Sequence, residues 1–229
     1  MVLVLAVSLA LDTWPGGWAG QLAGSLLMWA AFLTLAHRAD PAGRRMLLKC
    51  LAFATAGELF FSLVWGLYDY RLGAVPLFVP PGHVLMLLTG MALARRLGDA
   101  AASRIAGLTF AALAVACVAT RDGLSAPLLA VFVLLWRASP QQRPVYAVMM
   151  LLALVLELYG TWLACWAWRP VAPWLQLPAH NPPLAAGAFY CALDWTVLAV
   201  RSAAIKAGWS QLRRTFASCA PPFQPSRLP

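Results

Sequence analysis

Apolar runs of bilayer length alternate with short polar breaks along almost the whole chain. The pattern predicts helices over about 18–36, 46–68, 81–93, 105–119, 124–136, 144–167 and 183–205. A run of roughly 20 apolar residues crosses a bilayer as a helix, because every backbone N–H and C=O is then satisfied within the segment. The run at 124–136 is short, and Pro127 kinks it or its flanks extend it. Residues 1–11 (MVLVLAVSLAL) are apolar but too short to span. They lack the basic start and small-residue cleavage site of a signal peptide. A half-helix or interfacial segment is expected there, ended by the turn at 13–18 (TWPGGW). The fold class is therefore all-α: a polytopic membrane helical bundle of about seven transmembrane helices. It occupies 1–216 as a single domain, followed by a Pro-rich tail at 217–229.

Composition sharpens this reading. The 229 residues are 62% hydrophobic and 11% charged, with a mean hydropathy of +0.74. A soluble domain carries about 25% charged residues. The formal net charge of +9 invites a nucleic-acid partner, but the Lys and Arg residues stand in short breaks between apolar runs. That is a topology signal, so no nucleic acid is expected. Counted by side, fourteen basic residues (Arg38 to Arg227) face three (Arg71, Arg121, Arg169). The excess places the C-terminus in the cytoplasm, the N-terminus outside and both Pro-rich connections on the outer face. A bacterial inner (plasma) membrane is the expected location, and lipid is the expected partner. The five Cys residues (50, 117, 165, 191, 219) are scattered without a CxxC, as buried small apolar residues rather than a disulfide framework or zinc site.

One stretch is written twice. Glu58 to His83 reads ELFFSLVWGLYDYRLGAVPLFVPPGH, and Glu157 to Pro183 reads ELYGTWLACWAWRPVAPWLQLPAHNPP. Both run from an acid in an apolar run, through aromatics, to a Pro-rich turn. Halves at about 18–96 and 124–205, linked by 105–119, form a parallel three-helix internal repeat about an axis along the membrane normal. The alternative is a shared composition, since both stretches are outer connections rich in Trp and Pro.

Carboxylates inside a bilayer cost about 2.5–3.5 kcal/mol at a helix centre on insertion scales, so they mark function by default. Three lie inside predicted helices: Glu58, Glu157 and Asp194. If each helix continues to its connection, all three sit about 15–17 Å below the outer boundary, at one level, and share a pocket. Helical spacing would then put Glu58, Ser62, Trp65 and Asp69 on one face and repeat this with Glu157, Thr161, Ala164 and Trp168. Tyr190, Asp194 and Arg201 line one face of the last helix. The expected role is acid/base chemistry by these carboxylates, and the structural alternative is hydrogen bonding between helices. Tyr68, Tyr70, His83, Trp166, Trp168 and Asn181 form an outer rim, with His83 and Asn181 at matching places in the two copies. Trp65, Trp162 and Trp166 are expected to line the cavity, and Tyr190 joins them as a substrate-binding candidate. No HExxH, GxSxG, P-loop, GxGxxG or DDxxD is present. No metal and no cofactor are expected.

The Glu in a helix followed by Tyr-x-Tyr, and the later Trp-x-Trp with Pro and Asn before the last helix, resemble carotenoid-biosynthesis membrane proteins of the bacterioruberin-hydratase type. The residues that carry this are Glu58, Tyr68, Tyr70, Trp166, Trp168, Pro178 and Asn181. A fainter likeness is to small seven-span membrane terpene cyclases, with Glu58 and Asp194 as the analogous pair. The resemblance implies hydration or cyclisation of an isoprenoid-like lipid; of the buried carboxyls, Glu58 is the expected acid and Glu157 or Asp194 the expected base. A proton- or cation-coupled carrier and a non-catalytic assembly subunit are the alternatives.

Overall fold

The computed structural model describes residues 1–198. Helix α1 (Val2–Asp12) is followed by α2 (Trp18–Arg38) and α3 (Pro41–Glu58), which runs on into a π-helical turn (Leu59–Val64). Strand β1 (Tyr68–Tyr70) leads to α4 (Val79–Ala94), α5 (Asp99–Thr120) and α6 (Ser125–Ala138). Helix α7 (Arg143–Trp162) precedes strands β2 (Trp166–Trp168), β3 (Val171–Ala172) and β4 (Leu177–Pro178), and α8 (Gly187–Leu198) closes the described residues.

Among the described residues, four helical segments are long and apolar enough to cross a membrane: Trp18–Arg38, Pro41–Val64, Asp99–Thr120 and Pro140–Trp162. Helices α1, α4 and α6 are apolar but shorter. Helix α4 has a physical reason to be short. It packs against α1, α2, α3 and α7 and is buried on nearly every side, so protein rather than lipid surrounds it. Two helix starts are written in the sequence. Asp40 caps α3, its side chain accepting from the Gly43 N–H at 3.0 Å, and Pro41 follows at the first helical position.

Helix α1 is the half-length element expected at 1–11. It lies against α2, where Gly20 and Gly24 leave room for its backbone carbonyls at Leu11 and Ser8. Its last residue, Asp12, is fully buried and accepts from Gln21 Nε2 at 2.8 Å and from Arg71 Nε at 3.3 Å. Arg71, a charge of the connection between β1 and α4, is thereby tied down to α1.

The two connections differ from the expected helical extensions. Neither Tyr68 nor Trp168 continues a helix. Helix α3 widens into the π turn after Glu58, and the chain reverses at Gly66, whose φ of +70° suits a residue without a Cβ. Helix α7 stops at Trp162 and turns at Ala164, φ +56°. The freed segments then pair with each other, antiparallel, with Tyr68 opposite Trp168, Asp69 opposite Ala167 and Tyr70 opposite Trp166. Ladder bonds from Arg71 N–H to the Cys165 carbonyl and from Arg169 N–H to the Leu67 carbonyl, both 2.9 Å, extend the pairing. Those bonds make 69/167 a hydrogen-bonded pair, and 68/168 and 70/166 non-bonded pairs, whose side chains stand closer. Alternation does the rest: Tyr68, Tyr70, Trp166 and Trp168 point into the bundle, while Asp69 points out and pairs with Arg169 at 3.2 Å.

The last helix also starts later than 183. Residues 184–186 turn, and α8 begins at Gly187, which sits directly on the Met150 backbone of α7. Arg201, Cys219 and the tail lie outside the described residues.

Candidate functional site

The strand pair hangs between two carboxylates. Glu58 ends α3, and its Oε2 accepts from the Tyr68 hydroxyl at 2.8 Å and the Tyr70 hydroxyl at 2.5 Å. Its Oε1 lies 2.7 Å from Nε2 of His83, on the first turns of α4. Glu157, on α7, mirrors this. Its Oε2 accepts from the indole N–H groups of Trp166 at 2.9 Å and Trp168 at 3.0 Å, and its Oε1 from the Tyr190 hydroxyl at 2.9 Å. Each carboxylate thus takes two donors from one strand and one partner from the helix that follows. Both are more than nine-tenths buried.

The donor inventory fixes part of the proton bookkeeping. An indole N–H only donates, so Glu157 Oε2 is held as an acceptor by two of them, and a proton on Glu157 would have to sit on Oε1. Phenol hydroxyls can donate or accept, and an imidazole nitrogen can do either, so the Glu58 set can carry a proton in more than one place. The two sets touch. The His83 ring lies 4.8 Å from that of Tyr190, and the Tyr68 ring 4.7 Å from that of Trp168.

Two cavities meet at these groups. An inner one of about 50 Å³ lies under α1, with Leu5, Leu9, Tyr70 and Trp166 among its walls. An outer one of about 400 Å³ runs between α3 and α8, with Phe53, Phe60, Phe61, Phe189 and Leu193 along it. Glu58, Tyr68, His83, Glu157, Trp168 and Tyr190 line both. Beside the outer cavity the rings form a continuous wall. Trp174 stacks on Trp65 at 5.2 Å, Trp65 lies 6.0 Å from Phe61, Phe61 4.7 Å from Phe189, and Phe189 stacks on Trp168 at 6.3 Å.

Of the residues singled out in the sequence, Glu58, Glu157, Tyr68, Tyr70, His83, Trp166, Trp168 and Tyr190 come together. Asp194 does not join them. It is buried but lines neither cavity. Helix α8 descends α7 from Gly187 at Met150 to Cys191, whose Sγ contacts the Tyr146 carbonyl at 3.8 Å. Asp194, one turn further, therefore lies beside the first turns of α7. Glu157 is eleven residues up that helix from Tyr146, about 16 Å. The three acids are not at one level, because Tyr190 reaches up to Glu157 while Asp194 stays a turn below.

Trp162 is 77% exposed and faces outward rather than into the cavity. Trp65 belongs to the aromatic wall and touches neither carboxylate. Asn181 does not match His83. Its Oδ1 accepts the Trp168 backbone N–H at 2.9 Å, which pins the strand, and Tyr190 takes the place corresponding to His83. The series Glu58–Ser62–Trp65–Asp69 and Glu157–Thr161–Ala164–Trp168 are broken by the π turn and by the reversal at Ala164. Phe61, Phe189 and Trp174 also join the wall, and their only sequence signal is aromatic type, with Phe189 standing beside Tyr190. Among the described residues, no group of three or more His, Cys, Asp or Glu side chains could hold a metal ion, and the four described Cys residues are free and buried.

Comparison with protein-family models, with curated proteins and with solved structures finds no match for this chain.

Proposed function

We propose that this is an integral membrane enzyme that protonates a carbon–carbon double bond of an isoprenoid-like lipid, leading to hydration or cyclisation. The observation that carries the reading is Glu58 Oε1 at 2.7 Å from His83 Nε2, on the wall of an apolar cavity that Glu157 also lines. Protonating an alkene needs a strong acid in a dry site and a way to stabilise the carbocation. Glu58, steadied by His83, Tyr68 and Tyr70, is the acid. Glu157 supplies negative charge across the cavity, and the faces of Trp168, Phe61 and Phe189 add cation–π attraction, about 2 kcal/mol where desolvated. A cavity of about 400 Å³ has the volume of about 13 waters at roughly 30 Å³ each, so it takes one segment of a longer lipid.

The same reading takes the chain through the membrane seven times in a parallel repeat, with its C-terminus on the side of the basic loops. Two features support it. Helix α3 packs on both α4 and α8, and so does α7. The triplets Glu58, Tyr68/Tyr70, His83 and Glu157, Trp166/Trp168, Tyr190 occupy corresponding places. The test is mass spectrometry of lipid extracts from cells with and without the protein and its Glu58→Gln variant. A lipid that changes mass with wild type only is the expected result; no difference in any lipid contradicts the reading.

A proton-coupled carrier is the second reading, favoured by the π turn beside Glu58, which interrupts a spanning helix at its carboxylate. Proton-dependent solute flux in proteoliposomes, with the solute chemically unchanged, would select it.

A further inference from the structure

The two cavities leave one polar position open. Both oxygens of Glu58 and both oxygens of Glu157 are engaged. So are the two indole N–H groups and the three tyrosine hydroxyls that reach them. Among the described residues that line these cavities, only His83 Nδ1 is a buried side-chain polar atom with no partner; Trp65 Nε1, in the ring wall beside the outer cavity, also lacks one but touches neither carboxylate. A buried nitrogen without a partner costs about 1–3 kcal/mol, so a polar ligand that pairs with it gains that much there.

The occupant's chemistry follows from the ring. With Nε2 facing a carboxylate, the neutral imidazole holds its proton there and offers Nδ1 as an acceptor; with the proton moved across, Nδ1 is a donor. A hydroxyl group, which both donates and accepts, fits either state. A pure hydrocarbon fits neither.

We propose that His83 Nδ1 holds a hydroxyl group, from water or from a lipid alcohol, and takes its proton when that oxygen attacks the cation. The proposal rests on the acid role of Glu58 given above. The step balances. Glu58 gives its carboxyl proton to one alkene carbon, and the π pair becomes the new C–H bond. A lone pair of the hydroxyl oxygen forms the C–O bond to the other carbon. The O–H bond breaks and its proton goes to Nδ1, while the Nε2 proton passes to Glu58 Oε1 and restores the carboxyl group. His83 is left with its proton on Nδ1, and exchange with water, one proton lost at Nδ1 and one gained at Nε2, returns the starting tautomer. The sum is addition of R–OH across C=C, with no oxidant or reductant. Water gives an alcohol; the lipid's own hydroxyl gives an ether. Glu157 is the poorer proton acceptor because three donors already occupy it.

Both sources have room. The inner cavity of about 50 Å³ exceeds the roughly 10–15 Å³ that one water needs, and a lipid alcohol enters by the outer cavity.

Nitrogen NMR of isotope-labelled histidine, in protein held in phospholipid nanodiscs, reads this site directly. The chain has only three His residues, and His83→Gln identifies the signal while keeping an amide N–H for Glu58. Spectra are taken with water alone, with a sesquiterpene hydrocarbon and with the corresponding sesquiterpene alcohol. Magnetisation transfer to Nδ1 from water protons, displaced only by the alcohol or by neither lipid, is expected. Displacement assigns the lipid hydroxyl as source, and its absence assigns water. An Nδ1 signal with no transfer from water or from the alcohol overturns the proposal. Where turnover is seen, His83→Gln should lower its rate about a hundredfold or more, with the lipid still bound. External imidazole should restore part of the rate to His83→Ala. Full activity in His83→Gln overturns the Nδ1 role while leaving the acid role of Glu58 standing, and activity in Glu58→Gln removes that acid role itself.

Discussion

Tyr68 and Trp168 are paired across the strands with their rings 4.7 Å apart, yet each donates to a different carboxylate, Tyr68 to Glu58 and Trp168 to Glu157. One small strand pair therefore sets the position of both acids. Its inner face supplies four donors, and its outer face carries only Asp69, Ala167 and the exposed ion pair to Arg169. That pair is about half exposed on each side, so its contribution is about 0–1 kcal/mol and the register depends on the inner face.

The register can be trapped. Asp69 and Ala167 form the outward-facing, hydrogen-bonded pair, with Cα atoms about 5.5 Å apart and Cβ atoms too widely spaced for an unstrained disulfide. Asp69→Cys with Ala167→Cys, in a background lacking the native thiols, is expected to be bridged within one chain by a short bifunctional thiol reagent. Mass spectrometry of the bridged peptide measures it, and a pair that takes up two separate reagent molecules would contradict the register.

Tyr68 and Tyr70 share one oxygen of Glu58, so their effects should not add. Tyr70→Phe alone is expected to cost about 1–3 kcal/mol by leaving a buried carboxylate short of a donor. In the double variant, the total should differ from the sum of the singles by 0.5 kcal/mol or more, on the order seen for groups in one network. Denaturation in mild detergent reads all three.

Gly160 faces the six-membered ring of Trp166, and a Cβ there would overlap it. Gly160→Ala should push Trp166 off Glu157, at a cost of about 1–3 kcal/mol from overpacking. A lowered melting temperature with altered Trp emission is the expected result. An unchanged protein would mean that Trp166 sits elsewhere.

Trp162 and Trp168 should behave oppositely, although both are tryptophans close to Glu157 in the chain. Trp162→Ala, at an outward-facing position, is expected to change stability by less than about 0.5 kcal/mol. Trp168→Ala removes a buried ring and a carboxylate donor, and should cost about 3–5 kcal/mol. Thermal melts of the two variants under one set of conditions decide it.

Much of this is written in the sequence, and the part that is not has a physical cause. The helices long and apolar enough to cross a membrane follow from composition, because so few charges cannot cover a soluble surface. Glu58 and Glu157 stand out as acids in apolar runs, with Tyr-x-Tyr and Trp-x-Trp behind them. Those dipeptide spacings have the period of a strand, two, rather than of a helix. Continuing the helices through them places the aromatics at the membrane surface. The strands instead fold back and bring the rings down to the acids. Asp194 is misplaced for the same reason. Its depth, counted from Pro183, assumes a helix that begins there, whereas α8 begins at Gly187 and its offset against α7 is set by contacts at Met150 and Tyr146. Pairing between segments a hundred residues apart leaves no local mark on either one.

The most direct test sets three carboxamide variants side by side, Glu58→Gln, Glu157→Gln and Asp194→Asn, each checked for folding and assayed by lipid-extract mass spectrometry against wild type. The expected result is loss of the wild-type product in the first two and its retention in the third, because only the first two acids meet in the chamber. Product made by a folded Glu58→Gln variant, or lost only in Asp194→Asn, would contradict the account.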